Sequence, residues 1–339
     1  MISTYIRSSS LNKYKFCQQA FFIAYNLGIP EISNKKADMG TIVHGILEIL
    51  AILKKSKQKG RKTAKTIVGR LTNDFEKLNI DRLINKVYNK YTEFFNHHSY
   101  KNADFKFISD SNYKFLTSSY DPRYKTIVEP EQKFDLEILE PWAEYEYYLG
   151  EEHLTGNLRI KGTIDLIVEE DETTYQVIDW KTGKRLDWAT GEEKTIEKLE
   201  KDPQLMLYYY VINRLYPDKQ VTVTINYIND GGPFTIHFNK STISKCLDML
   251  KKHFEEVKKN KMPQLLDNGK NWKCTKLCHF GKNTFEGTDV KVLYDNQGNP
   301  RTMCDQVNYC LRHRTMDKVI MNMKDKNHDF NFYKDPGAC

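Results

Sequence analysis

Two apolar runs, Gly162-Thr-Ile-Asp-Leu-Ile-Val168 and Val177-Ile-Asp-Trp-Lys181, flank a polar stretch that contains Glu169-Glu-Asp-Glu-Thr173. Short β-branched and aromatic runs joined by a polar turn predict a hairpin of two neighbouring strands. Side chains two apart on a strand share a face, so Asp179 and Lys181 point the same way. Asp165 can lie beside them on the partner strand. Their neighbours Ile164, Leu166, Ile167, Val168, Val177, Ile178 and Trp180 are apolar. Charges in such surroundings are costly unless they are paired or bound to an ion. Two carboxylates about 4 Å apart repel by roughly 4 kcal/mol at an effective dielectric of 20. A hard divalent cation removes that penalty, and Mg²⁺ prefers oxygen ligands with retained waters. An ammonium on the same face would orient an attacking water or stabilise a pentavalent phosphoryl group. The pattern is that of a metal-dependent phosphodiesterase. A solvated Asp–Lys pair is the simpler alternative, and the apolar flanks argue against it.

The 339 residues are 40% hydrophobic and 29% charged, the balance of a globular protein. No apolar run approaches the roughly 20 residues of a membrane span. Met1-Ile-Ser-Thr-Tyr-Ile-Arg7 lacks the apolar core of a signal peptide, so a cytosolic location is expected. Fifty-two basic residues against 45 acidic ones give a net charge of +7. That excess suits a polyanionic partner without requiring one. The basic run from Lys54 to Lys62 is most simply a solvated loop, and phosphate-backbone contact is the sharper alternative.

Seven cysteines are many for a cytosolic chain, where disulfides are disfavoured and clustered thiols suggest metal. Cys246 reads as a buried helix residue and Cys339 as a frayed end. Cys274-x3-Cys278 and Cys304-x5-Cys310 form two pairs separated by 25 residues. Four thiolates can close a tetrahedral Zn²⁺ site or hold an iron–sulfur cluster. Asp295-Asn-Gln-Gly-Asn-Pro300 reads as a turn within an inserted loop.

The periodicities predict N-terminal helices over residues 1–60, carrying Cys17 and His44, then a helical insertion over 61–125. Residues 126–262 read as the core, with strands up to Lys181, a helix over 192–216, a strand over 221–228 paired with 234–238, and a helix over 241–260. Residues 263–339 form a cysteine-rich tail. This order predicts an α/β fold around a mixed sheet. Gln204-x3-Tyr208 has the spacing of one helix face, where an amide and a phenol could reach the site or simply pack. His44 lies on an apolar helix between Gly40 and Gly45, where a close approach is possible. No G-x-x-x-x-G-K-[ST] occurs, so the chain is not itself a nucleotide-driven helicase.

Taken in order, Gly40-x3-His44, Gly162-Thr-Ile-Asp165, Asp179-Trp-Lys181 and Gln204-x3-Tyr208 resemble the RecB-like branch of the PD-(D/E)XK nuclease superfamily. That branch includes the nuclease domains of RecB and AddB and CRISPR-associated RecB-like exonucleases. Leu11, Tyr14, Cys17 and Phe21, preceded by Ser9 or Ser10, match its N-terminal pattern. The resemblance spans roughly residues 8–310. It implies a restriction-endonuclease-like mixed central sheet flanked by helices, with a cysteine-rich C-terminal metal or cluster module. It implies that His44, Asp165, Asp179 and the Ile178 carbonyl bind Mg²⁺ or Mn²⁺, and that Lys181 positions the water. Gln204 and Tyr208 would contact DNA or support the site, and Glu144 or Glu146 would add a carboxylate.

In iron–sulfur members of that branch an early cysteine joins three near the C-terminus around a 4Fe-4S cluster. Cys17, Cys274, Cys278, Cys304 and Cys310 then compete for four places, with Zn²⁺ as the alternative. Gln18 stands where the family often has Pro, and the family's closing C-x2-C-x5-C is not present as such. The implied activity is a DNA exonuclease acting on single strands or duplex ends in recombination, repair or phage DNA processing. A helicase or recombination protein would be its partner, in a bacterial or phage-infected cell. A DNA-binding or scaffold subunit of a helicase–nuclease complex is the second reading.

Overall fold

The computed structural model describes residues 1–187, 191–266, 271–288 and 290–324; Cys339 lies outside the described residues. The chain begins with β1 (Tyr5–Ile6), α1 (Ser8–Phe16), α2 (Gln18–Phe21) and the long α3 (Lys35–Gln58). There follow β2 (Thr63–Thr66), β3 (Gly69–Thr72), α4 (Ile80–Phe94) and α5 (Asn102–Leu116). Four strands come next: β4 (Thr126–Glu137), β5 (Glu144–Leu149), β6 (Glu152–Asn157) and β7 (Arg159–Glu169). After β8 (Thr174–Lys181) lie α6 (Ile196–Leu199), α7 (Pro203–Leu215), β9 (Gln220–Tyr227), β10 (Phe234–Ile236) and α8 (Lys240–Lys259). The C-terminal part holds α9 (Trp272–Lys276), α10 (His279–Lys282), α11 (Met303–His313) and α12 (Met316–Lys324).

These elements form two compact units, each assembled from separate stretches of chain. One comprises Ser33–Phe134 and Gly162–Cys246, the other Met1–Ile32, Asp135–Lys161 and the chain from Leu247 onward.

The first of these units holds the mixed sheet. β7 and β8 are antiparallel, with Leu166 opposite Ile178 and Glu169 opposite Tyr175. β8 runs parallel to β9 over its whole length, β10 closes the edge antiparallel to β9, and β4 pairs with β7. Alternation on β8 sends Ile178 and Trp180 into the layer of α3, α4 and α5. There they pack with Ile42, Ile46, Leu50, Leu83, Val87, Ile108 and Phe115. Asp179, pointing the other way, meets Gln204 of α7, and α7 packs on β9. Helices therefore flank a central mixed sheet on both faces, as the sequence leads one to expect.

Between α3 and α4 the expected all-helical insertion contains a hairpin instead: β2 and β3 pair from Thr63↔Thr72 to Thr66↔Gly69. The cause is local. Thr63-Ala-Lys-Thr66 lacks a helical apolar period, and Gly69 takes φ +100°, a conformation that turns the chain back at little cost.

The other unit packs Phe16, Ala20, Phe21, Phe22 and Ile23 against Phe280, Phe285, Met303, Val307 and Leu311. β1 adds to the start of β7 in parallel, and β5 and β6 form a separate hairpin.

Gly162 occupies a place where no side chain fits: a Cβ there would sit 2.5 Å from the Phe134 ring. Phe134 in turn lies edge-on to Tyr208, with centroids 6.5 Å apart. Gly162→Ala is expected to destabilise the protein by about 1–3 kcal/mol through overpacking, read as a lower urea midpoint at unchanged slope. An unchanged midpoint would show that Phe134 moves aside freely.

Candidate active site

The side chains singled out from the sequence meet at one end of the β7–β8 hairpin. Asp165 Oδ2 accepts the Trp180 backbone N–H at 2.8 Å, so this carboxylate serves as a strand partner. His44 Nδ1 of α3 lies 3.5 Å from the same oxygen. The imidazole is held edge-on to Trp180, at 5.7 Å between centroids. Gly40 lets α3 lie close to the end of β8, because a Cβ there would be 2.9 Å from Thr182 Oγ1. A side chain, and not a metal site, occupies that space.

Asp179 has a side chain only 1% exposed, and Lys181 Nζ lies 2.6 Å from its Oδ2. Its Oδ1 accepts from Gln204 Nε2 at 3.1 Å. The same amide nitrogen is 2.7 Å from Tyr208 Oη, whose hydroxyl donates to the Thr163 carbonyl at 2.9 Å. The four-residue spacing thus places both groups on one helix face, as predicted. Asp202 caps that helix by accepting from the Gln204 N–H, and Lys194 Nζ holds its carboxylate at 2.6 Å. Ile178 is an interior strand residue, between Leu166 and Thr224.

The electrostatics follow from the crowding. Burial pushes the Asp179 carboxyl up to about 6, with Asp165 adding to the shift and Lys181 opposing it. Asp165 is buried too, yet His44, Lys181 and the Trp180 N–H bring it below the usual carboxylate range. His44 shifts up because Asp165 outweighs the burial that opposes its charge. Lys181 likewise stays an ammonium, since Asp179 and Asp165 overcome its burial. Asp179 Oδ2 is buried without a hydrogen bond of good geometry, although the ammonium is close. An acceptor left in that state beside a second carboxylate fits a cation-binding role.

The sequence profile of the PD-(D/E)XK nuclease superfamily matches residues 8–282. The chain belongs to that superfamily. No curated protein matches it in sequence. Among solved structures, a protein from Eubacterium rectale provisionally described as an exonuclease is 10% identical with a TM-score of 0.46. The match covers 78% of this chain and 85% of that one. A second, SSO0001, is 14% identical with a TM-score of 0.28, covering 83% and 85%. Nucleases of that superfamily typically use divalent metal ions.

Two carboxylates of this nuclease escaped the sequence reading. Glu48 lies one helical turn beyond His44 on α3, and Glu131 lies on β4. Burial raises Glu131 to about 7, and Asp165 and Glu48 add to the shift. Glu48 is raised by burial, then by Asp165. Glu131 also has φ +48°, rare for a residue with a side chain in mid-strand and frequent at functional sites. The His44-x3-Glu48 spacing and Pro130 interrupting a strand were the available signals. Of the two further carboxylates the sequence offered, Glu146 bonds Tyr148 and His153, and Glu144 is exposed opposite Asn157 in the β5–β6 hairpin.

The five candidate cysteines all belong to the other unit and all are buried. Cys17 stands between α1 and α2, Cys274 on α9, Cys278 at the start of α10, and Cys304 and Cys310 on α11. Burial raises the Cys304 thiol well above its usual range, and Cys17, Cys278 and Cys274 contribute. Those sulfurs therefore lie within electrostatic reach of one another. Backbone N–H groups of Gly281 and Phe280 point at Cys278 and favour its thiolate, against the burial that raises it.

A raised carboxyl binds a proton more tightly folded than unfolded, so its ionisation removes stability as pH climbs through the folded value. For Glu131 that window runs from about pH 4, the unfolded value, to the folded value of about 7. Buried His253, lowered to about 4, works in the opposite sense. Comparison with a variant isolates the carboxyl. In chelator-treated protein, Glu131→Gln should gain about 1–3 kcal/mol over the unsubstituted chain between pH 5 and 8. Thermal melts at several pH values test this, and a difference that does not grow with pH would refute it.

Proposed function

We propose that this chain is a Mg²⁺- or Mn²⁺-dependent deoxyribonuclease of the RecB-like branch, digesting DNA from single strands or duplex ends. The observation that carries this reading is the buried Asp165/Asp179 pair, with Asp179 Oδ2 2.6 Å from the Lys181 ammonium. The His44, Gly162–Asp165, Asp179–Lys181 and Gln204–Tyr208 sequence supports the branch assignment.

His44, Asp165, Asp179 and the Ile178 carbonyl would hold the cation, with Glu131 and Glu48 adding carboxylates at the rim. A bound divalent ion supplies an activated water and neutralises charge on the scissile phosphate. Lys181, fixed by Asp179 and one-third exposed, orients the nucleophile and donates to the developing phosphoryl oxygens. As an ammonium it acts by charge and hydrogen bonding. Gln204 keeps Asp179 oriented. Tyr208 stays a phenol, because burial, Asp179 and Asp165 raise it well above its usual value.

DNA binding has its own support in the same unit. Lys55, Lys59, Arg61, Lys65 and Arg70 line a cleft of about 610 Å³ with Glu129, and Lys55 bonds that carboxylate. Lys55 lies seven residues beyond Glu48 on α3, so it shares that helix face about 10 Å further along. A basic groove at that spacing suits the backbone of a strand threading toward the carboxylates. Work in recombination, repair or phage DNA processing, in the cytoplasm and beside a helicase or recombination protein, fits this activity. No helix among the described residues is long and apolar enough to cross a membrane.

Asp179→Asn and Lys181→Ala should each lower Mn²⁺-dependent release of nucleotides from end-labelled DNA by at least about 10³-fold, with circular dichroism and DNA affinity retained. Substantial cleavage by a folded Asp179→Asn protein would reject the assignment.

The four free thiols Cys17, Cys274, Cys278 and Cys304 we assign to a 4Fe-4S cluster, with Zn²⁺ as the alternative occupant; Cys310 is disulfide-bonded and drops out of the expected ligand set. Anaerobically purified protein is expected to be brown, absorbing near roughly 400 nm, and to lose that colour in Cys17→Ala. Colourless protein carrying stoichiometric zinc would decide for the alternative.

A further inference from the structure

Asp38, in the first turn of α3, has a side chain only 1% exposed, unusual for an acid at that end of a helix. Its Oδ1 accepts from Ser33 Oγ, and its Oδ2 accepts from Tyr100 Oη at 3.1 Å. The turn between α4 and α5 brings His97 and His98 to the same oxygen. Their Nε2 atoms lie 3.6 and 3.5 Å from Asp38 Oδ2, and the three atoms fall within 4.8 Å of one another. Those separations exceed the usual 2.7–3.2 Å of an N–H···O bond. They match another geometry. Ligands at about 2.0–2.2 Å from a tetrahedral ion are about 3.3–3.6 Å apart.

We propose that Asp38 Oδ2, His97 Nε2 and His98 Nε2 form a binding site for Zn²⁺, separate from the nuclease centre. Two imidazoles and one carboxylate suit a borderline transition ion better than Mg²⁺, which favours oxygen alone. Ser33 and Tyr100 donate to the carboxylate and fix its direction, the outer support such ligands normally carry. His98 Nε2 also lies 2.9 Å from the Ser33 carbonyl, the contact it keeps without metal. The histidine side chains are 33% and 26% exposed, so an ion can enter and a water can complete the tetrahedron. Asp38 precedes His44 by six residues, about 9 Å along the helix axis. A cation here fastens the α4–α5 turn to the start of the helix that carries His44 and Glu48.

The test uses the full-length protein after chelator treatment, titrated with Zn²⁺ and followed by ¹H–¹⁵N spectra of the histidine rings. The expected result is a shift of the His97 and His98 Nε2 resonances, together with a higher thermal midpoint. His97→Gln, at a partly exposed position, should bind Zn²⁺ at this site at least about tenfold more weakly, since even outer partners of metal ligands are worth about 10–100-fold. His98→Gln provides a second variant should the first fold poorly. Shifts confined to His44, or no shift at His97 and His98 at saturating Zn²⁺, would overturn the proposal. The cysteines cannot mimic the expected result, because the readout is the two imidazole rings themselves.

Discussion

Everything at this site rests on the burial of like charges. Asp179 sits in a strand whose neighbours Ile178 and Trp180 are fully buried, with Asp165 beside it. Burial and repulsion oppose ionisation of the pair, and Lys181, His44, the Trp180 backbone N–H and the Gln204 amide counter them. A chain that needed only stability would place apolar groups there, since buried ion pairs are seldom better than well-packed hydrophobic ones. The arrangement suits the proposed binding of positive charge.

The surrounding fold works to keep that cluster in place. The parallel β8–β9 pairing and the β7–β8 hairpin fix the strand that carries Asp179 on both edges. α3 contributes His44 from one face of the sheet and α7 contributes Gln204 from the other. Asp202, capping α7 and paired with Lys194, holds the start of the helix that orients Gln204. Gly162 and Gly40 permit the close approaches that larger residues would block. Each device is modest, and together they leave Asp179 little freedom to turn away.

Much of this was legible in the sequence, because the informative features are local. A hairpin of apolar residues interrupted by Asp165, Asp179 and Lys181 announces both its strands and its chemistry. The Gln204–Tyr208 spacing gives a shared helix face without knowledge of the fold. Glu48 and Glu131 were harder to find because they reach the site through tertiary packing, one along an apolar helix and one from a strand bent at φ +48°. The β2–β3 hairpin was missed because four-residue strands carry almost no periodicity. Asp38, His97 and His98 are far apart in sequence and converge only once α4 and α5 pack on α3.

Trp180 lies between the two charged residues of its strand, with its ring against His44 and Phe115 at 5.7 and 5.8 Å. Its backbone N–H is bonded to Asp165 at the same time. The indole thus touches the imidazole, while the carboxylate holds the same residue by its main chain. Protonation of His44, or arrival of positive charge at Asp165, changes the field at that chromophore. Trp180, one of four tryptophans in the chain, thus sits where its emission responds to the charge state of the cluster.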